Sequence, residues 1–227
     1  MSVNREAYQN ICKEVKEKNI SLVAVSKSKP ISDILELYKL GHRDFGENYV
    51  QEMLEKRSEL PIDIRWHYIG HLQTNKVKQI ASFIHLIHSV DSLKLLNEIN
   101  KQSLKNNRII DVLLQVHIAQ EETKFGFDRN ELEIIFNTNS ANYELPVRSL
   151  QELKNINITG LMGMASFTTD MDKVRSEFRY LKSLFDQFKM VNKTFKILST
   201  GMSSDYKIAI EEGSNMVRIG SLLFGER

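Results

Sequence analysis

Short apolar runs alternate with amphipathic segments along the whole chain. The first run, Ser21–Val25, is rich in β-branched residues, and residues 31–40 after it carry apolar side chains at helical spacing as far as Gly41, a helix stop signal. The clearest strand is the long apolar run 109–118. Asp170 opens a strongly amphipathic segment whose apolar residues share one helical face. The pattern therefore predicts strands that alternate with helices.

Eight strands are predicted in this way, and they cover residues 21–25, 43–45, 66–69, 86–90, 109–118, 158–165, 195–198 and 216–219. The helices between them are expected at 31–40, 49–58, 75–81, 92–105, 131–137, after Asp170 and at 204–212, and a shorter helix is expected before Asn155. Asp91 is the predicted N-cap of the helix at 92–105, and Asp128 that of the helix at 131–137. Strict alternation favours parallel pairing. An open doubly wound sheet is the competitor, but a count of eight favours closure. We expect one domain over residues 1–227, an α/β (β/α)₈ TIM barrel.

Composition and charge narrow the classes of function. The chain is 41% hydrophobic and 26% charged, with a net charge of +2, so nothing favours nucleic acid or a membrane as a partner. Cys12 is the single cysteine, which excludes an internal disulfide. The sequence opens without a secretory leader pattern and has no apolar run long enough to span a bilayer. We therefore expect a cytoplasmic protein, and a monomer.

The histidines give no metal motif. There are six of them, but they form no H-E-x-x-H pattern and no pair of cysteines accompanies them, so no metal site is predicted. His85 and His88 flank an apolar strand and are expected to be structural or solvated.

Polar residues gather where the predicted strands end. In a (β/α)₈ barrel the chemistry lies at the carboxyl ends of the strands. The residues found at or near those ends are Lys27, Glu47, Asn48, His67, Ser89, Asp91, Gln115, His117, Ser199, Thr200, Ser203 and Arg218. Together they predict a polar mouth above an apolar core.

Lys27 is the candidate nucleophile of this mouth. It follows Val23 and Val25 at two-residue spacing, so the pleat of a strand points all three toward the barrel axis. Partial burial disfavours the charged amine and makes the neutral form available for attack on an aldehyde. The alternative is a lysine that extends to the solvated rim. Lys29 has the same parity but lies beyond the strand, before Pro30, and is expected to be solvated.

Two glycine-bearing turns are candidates for holding a phosphate. One follows strand seven and contains Ser199, Gly201, Met202 and Ser203; the other follows strand eight and contains Arg218, Gly220 and Ser221. Glycine lets the backbone approach an anion closely, and exposed N–H groups with a serine hydroxyl can hold phosphate oxygens. Loops after strands seven and eight are the recurrent phosphate site of these barrels. The alternative is a pair of ordinary turns.

These segments resemble the pyridoxal phosphate homeostasis proteins. The lysine segment is VAVSKSKP at residues 23–30, followed by FGENYVQE at 45–52, WHYIG at 66–70 and LQTNK at 72–76. Further matches are Lys124 with Gly126, GLM at 160–162, GMS at 201–203 with Asp205, VRIG at 217–220 and the Phe-Gly pair at 224–225. The likeness runs from Leu22 to Arg227. Thr200 and His71 depart from it, standing where methionine and proline are usual.

The resemblance implies a barrel of the alanine racemase N-terminal type. It also implies that pyridoxal 5′-phosphate (PLP) is held as a Schiff base on Lys27. We expect Asn48 to approach the ring from strand two and Arg218 to contact either the phosphate or the pyridine nitrogen. The implied role is vitamin B6 homeostasis without fast catalysis, with apo PLP enzymes as candidate recipients.

Two other functions compete with this one. An amino-acid racemase of this class needs a second domain that supplies a catalytic tyrosine, and the given sequence ends soon after strand eight. A Schiff-base aldolase acting on a phosphorylated sugar would use similar phosphate loops, but such barrels usually carry the lysine on a later strand.

Overall fold

A computed structural model describes residues 3–119, 125–136 and 153–226. The strands within these ranges are β1 Ser21–Val25, β2 Asp44–Glu47, β3 Arg65–Tyr68, β4 Leu86–Val90, β5 Ile110–Val116, β6 Ile156–Gly163, β7 Ile197–Ser199 and β8 Met216–Ile219. The helices are α1 Arg5–Glu17, α2 Ile31–Lys39, α3 Val50–Glu59, α4 Val77–Ile80, α5 Leu93–Lys105, α6 Arg129–Phe136, α7 Met171–Val191, α8 Tyr206–Glu211 and α9 Ser221–Phe224, with a 3₁₀ turn at Thr74–Lys76.

The eight strands form a closed barrel in chain order. Every neighbouring pair is parallel, and β8 closes the ring on β1, where Val23 pairs with Arg218. The predicted TIM barrel is therefore confirmed, and the open-sheet alternative is wrong. Because paired residues of parallel strands point to the same face, Val23 and Arg218 share the interior of the barrel.

Two apolar regions hold this architecture together. A small cluster fills the barrel interior and consists of Val23, Leu86, Leu113, Met162 and Met216. A larger one lies between the strands and the surrounding helices. In α7 it includes Val174, Phe178 and Leu181, which recur at helical spacing. Each such side chain contributes about 1.5–3 kcal/mol by leaving water, so the outer layer is the main source of stability.

Several element boundaries differ from the sequence prediction. Strand β2 extends to Glu47 rather than ending at Phe45, because Glu47 pairs with Tyr68 of β3. The N-cap of α5 is Ser92, whose hydroxyl accepts the Leu95 N–H, so the prediction of Asp91 was wrong. Asp91 instead bonds the His71 ring at 2.8 Å.

The remaining cap predictions agree with the structure. Asp128 caps α6 by accepting the Glu131 N–H at 2.8 Å, and Asp170 caps α7 through two N–H groups. Lys124 and the short helix expected before Asn155 fall outside the described residues. None of the helices in the described ranges combines the length and the apolar character that crossing a membrane requires.

Candidate functional site

A pocket of about 500 Å³ opens at the carboxyl ends of β1, β7 and β8. It is lined by six of the nine predicted site residues, namely Lys27, Met202, Ser203, Arg218, Gly220 and Ser221. The other three, Asn48, Ser199 and Gly201, are not part of its lining. The structure therefore brings the lysine segment and both glycine-bearing turns to one cavity.

Lys27 lies in the turn just beyond β1 and is half-buried. Val23, four residues earlier, is fully buried inside the barrel, and Val25 lines the pocket, as the two-residue spacing predicted. Lys29 is not simply solvated, and that prediction was wrong. Its ammonium donates to the carbonyls of Phe224 and Gly225 at 3.0 and 2.9 Å, because the last turn of α9 ends against it.

A buried ion pair fixes the turn that carries Lys27. The ammonium of Lys56, on α3, donates to Glu47 at 2.8 Å, to Glu52 at 2.7 Å and to the carbonyl of Ser26 at 2.7 Å. Glu52 also accepts the N–H of Ser28 at 2.5 Å. The backbone on both sides of Lys27 is thus bound to one charged cluster.

Glu47 is the most enclosed member of this cluster, with no exposed side chain. Burial raises its pKa, and the neighbouring Lys56 opposes that rise. The prediction that Glu47 faces the polar mouth was wrong, because its carboxylate turns outward to bond Ser26 and Lys56. Sequence reasoning missed Lys56 and Glu52, since neither lies at a strand end.

The two glycine-bearing turns are joined to each other. The hydroxyl of Ser203 accepts the N–H of Gly220 at 3.2 Å. A side-chain oxygen of Asp205 accepts the N–H of Met202 at 2.6 Å and closes the first turn. Ser203 and Ser221 both line the pocket.

Gly201 and Gly220 are required to be glycine for different structural reasons. Gly201 has a φ of +95° and a Cβ there would lie 2.6 Å from the Cβ of Ala209, so this position serves packing against α8. At Gly220 a Cβ would meet Val25 at 3.3 Å, beside the pocket. The second glycine therefore lets this turn pack closely against Val25, which itself lines the pocket.

Arg218 lies almost fully buried at the base of the pocket. One guanidinium nitrogen donates to the hydroxyl and the carbonyl of Ser199 at 2.7 and 2.9 Å, and the other to the carbonyl of Gly163 at 3.1 Å. Burial lowers its pKa to about 10, which still leaves it charged at neutral pH. Ser199 therefore supports Arg218 from below rather than facing the cavity.

Three buried polar atoms near the strand ends lack a hydrogen-bond partner among the described residues. They are Glu47 Oε2, Asn48 Oδ1 and Thr200 Oγ1. Leaving such an atom unpaired costs about 1–3 kcal/mol. None of these three residues lines the pocket; the groups that do, Lys27, the buried Arg218 and the serine hydroxyls of the two turns, fit a polar, phosphate-bearing aldehyde cofactor.

His67 does not belong to the mouth. Its ring points into the barrel and bonds Asp44, at the amino-terminal end, at 3.0 Å and His88 at 2.9 Å. The sequence prediction that placed His67 at the mouth was wrong because β3 turns this side chain toward the opposite opening.

The family model for the alanine racemase N-terminal domain matches residues 3–227. The chain belongs to this family. It is 43% identical over 208 residues to the pyridoxal phosphate homeostasis protein of Aquifex aeolicus, covering 91% of this chain and 86% of that one. It is 34% identical to the protein of the same name from Haemophilus influenzae, covering 100% and 94%. The resemblance found in the motifs is confirmed.

Comparison with solved structures also finds proteins with this fold. PipY of Synechococcus elongatus, determined with PLP bound, superposes with a TM-score of 0.85 at 30% identity and covers 97% of this chain and 99% of its own. An alanine racemase of Clostridium difficile superposes with a TM-score of 0.75 at 16% identity, and only 56% of that chain is covered. The second likeness shows the fold alone.

Proposed function

We propose that this chain holds PLP as a Schiff base on Lys27 and acts in vitamin B6 homeostasis. The observation that carries the proposal is the single pocket that joins Lys27 to the turns after β7 and β8. The relatives' name, pyridoxal phosphate homeostasis protein, and PipY with PLP bound support it.

In this proposal different pocket residues contact different parts of the cofactor. The hydroxyls of Ser203 and Ser221 hold the phosphate, since O–H donors suit its oxygens, and Gly220, whose N–H is bound to Ser203, fixes the turn beside them. Asn48 approaches the ring. Arg218 is a fixed positive charge at the base of the pocket, because its two terminal nitrogens are bound to Ser199 and Gly163. When bound, PLP supplies an aldehyde carbon for the amine and an electron-withdrawing ring.

Reaction at Lys27 requires its neutral amine. The Lys56 cluster holds the backbone at Ser26 and Ser28 and so orients the lysine toward the pocket. Arg218 adds a buried positive charge to the same cavity. These residues bind and orient; they form no matched acid and base pair of the kind a PLP enzyme needs.

We further propose a carrier or regulator rather than a fast enzyme. The ionisable side chains that line the pocket within the described residues are Lys27, Lys29, Arg218 and Glu226. Lys29 is bound to carbonyl oxygens, so it is poorly placed as a second base. A panel of amino acids incubated with the PLP-loaded protein tests this. Turnover of about 1–10³ per second for racemisation, decarboxylation or transamination would favour the enzyme alternative.

Borohydride reduction and peptide mapping test the lysine assignment. We expect the pyridoxyl mass on the peptide containing Lys27, loss of the label in Lys27→Ala and retention in the matched Lys29→Met variant. A label found on Lys29 alone would overturn the assignment.

The proposal also covers the partners of the protein, its oligomeric state and its location in the cell. We expect the loaded protein to pass PLP to an apo PLP enzyme, measured as recovered activity of that enzyme. We also expect a monomer in the cytoplasm, measured by light scattering and cell fractionation.

A further inference from the structure

A second group of reactive side chains lies at the opposite, amino-terminal end of the barrel. Asp44 begins β2, His67 is on β3 and His85 directly precedes β4. Because these strands are neighbours, one ligand atom from each residue lies within 4.8 Å of the other two. A motif search misses this grouping, since the residues are far apart in the sequence.

We propose that Asp44, His67 and His85 bind a divalent first-row transition metal, such as Zn²⁺. Two imidazoles and one carboxylate are a donor set that such ions prefer. His67 Nε2 and Asp44 Oδ1 are 3.0 Å apart. Two ligands of a tetrahedral ion at about 2.0–2.1 Å lie about 3.3 Å from each other, so the pair needs only a small adjustment.

Residues around the group already have the contacts of a supporting layer. The ring nitrogen of His67 that faces away from Asp44 bonds His88 at 2.9 Å. Metal-binding histidines usually have their second nitrogen held in this way. His88 is fully buried, so it fixes the ring of His67 in one orientation.

A metal at this site must share the carboxylate of Asp44 with Arg65. Its guanidinium bonds both oxygens of Asp44, at 2.6 and 2.5 Å. A metal on Oδ1 replaces one of these bonds and leaves the one to Oδ2, where Arg65 then orients the ligating carboxylate. The Arg65 side chain is 47% exposed, so water can take the place of the contact that its guanidinium gives up.

The group is open to solvent on one side. It lines a cavity of about 310 Å³ that also includes Asp111 and Lys196 and is separate from the pocket of Lys27. With three protein ligands, positions on the metal remain for water or a small anion, the arrangement of an open rather than a closed site.

The test is a titration of the full-length chain, cleared of PLP because PLP itself chelates metals, with Co²⁺ as a visible probe and Zn²⁺ as competitor. We expect one Co²⁺ per chain, a ligand-field absorption typical of nitrogen coordination and displacement by Zn²⁺. His85→Ala, at an exposed position, should weaken binding by more than about tenfold. The matched control is His71→Ala, another exposed histidine that bonds a carboxylate, Asp91.

A second measurement follows the individual histidines. Co²⁺ should broaden the imidazole NMR signals of His67 and His85 and leave that of His71 sharp. Lack of Co²⁺ binding, equal binding by wild type and His85→Ala, or broadening confined to other histidines would each overturn the proposal. These readouts do not depend on PLP, so they fail or succeed independently of the role of Lys27.

Discussion

Arg218 donates a guanidinium N–H to the hydroxyl of Ser199 at 2.7 Å. That hydroxyl is also 3.1 Å from the ring of His88, which bonds His67, which in turn bonds Asp44. A continuous hydrogen-bonded chain therefore crosses the barrel interior, from the pocket of Lys27 to the opposite end.

The direction of these hydrogen bonds follows from their two ends. Burial alone raises the pKa of Asp44, but hydrogen bonds from Arg65 and His67 hold it well below its usual range, so the carboxylate can only accept. Burial lowers the pKa of His88 well below its usual value and keeps that ring neutral. When each ring carries a single proton, each group donates toward Asp44, and the Ser199 hydroxyl donates to His88.

Ser199→Ala removes the link between Arg218 and His88 in this hydrogen-bonded chain. His88 loses its hydroxyl donor and Arg218 loses one acceptor, both in the barrel interior. We expect a loss of about 1–3 kcal/mol in the free energy of unfolding, measured by urea denaturation. Ser183→Ala, on the exposed face of α7, should change stability by less than about 0.5 kcal/mol. Equal effects of the two substitutions would contradict this account.

Lys56→Met tests the ion pair beneath the Lys27 turn. Glu47 would be left buried without its ammonium, which costs about 3–5 kcal/mol. The exposed Lys101, which pairs with Glu98 at 3.9 Å, is the matched control, and Lys101→Met should cost about 0–1 kcal/mol.

A double variant separates charge from packing. Lys56→Met with Glu47→Gln should be more stable than Lys56→Met alone, because no isolated charge remains. Both variants should also show slower borohydride labelling of Lys27, since its flanking backbone has lost an anchor. Labelling at the wild-type rate would show that the cluster stabilises the fold without orienting the lysine.

The barrel could be predicted from the sequence because the signals for its strands and helices lie in short stretches of neighbouring residues. Apolar runs such as Ile110–Val116 and caps such as Asp128 need only neighbouring residues to be recognised. The grouping of Lys27, Ser203 and Gly220 at one pocket could be predicted for a related reason: parallel strands place their carboxyl ends at one opening, so strand order alone brings these residues together.

The interior polar contacts could not be predicted in this way. Lys56 reaches Ser26 across 30 residues, and His88 reaches Ser199 across 111. Such contacts depend on the barrel register and on which way each side chain turns. The same limit explains why His67 was assigned to the wrong opening and Lys29 to solvent.

Gly160→Ala should prevent the barrel from closing. A Cβ at this position would lie 1.7 Å from the carbonyl oxygen of Ile197, its partner on β7. We expect destabilisation beyond about 4–5 kcal/mol, seen as loss of the cooperative thermal transition. Gly41→Ala is the control, since nothing lies within 4 Å of its Cβ and only its φ of +97° is unfavourable. It should fold and cost about 1–2 kcal/mol.

Asp205 makes the stability of the turn after β7 depend on pH. Burial raises the pKa of its carboxyl above 3.8, although the Met202 N–H and the Arg218 charge oppose the rise. The folded chain therefore binds this proton more tightly than the unfolded chain. As pH rises above 3.8, the ionised carboxylate lowers the free energy of unfolding, and the loss is complete once pH passes the raised folded-state pKa.

Asp205→Asn removes this charge and keeps an amide oxygen that can accept the Met202 N–H. We therefore expect the variant to be more stable than the wild type at neutral pH, with a difference that shrinks as pH falls toward 3.8. Urea denaturation between about pH 4 and about pH 7 measures it. Asp186→Asn, on the exposed side of α7, should change stability by less than about 0.5 kcal/mol throughout. A difference at Asp205 that grew as pH fell would mean that its carboxylate stabilises the turn by its charge, contrary to the effect of burial.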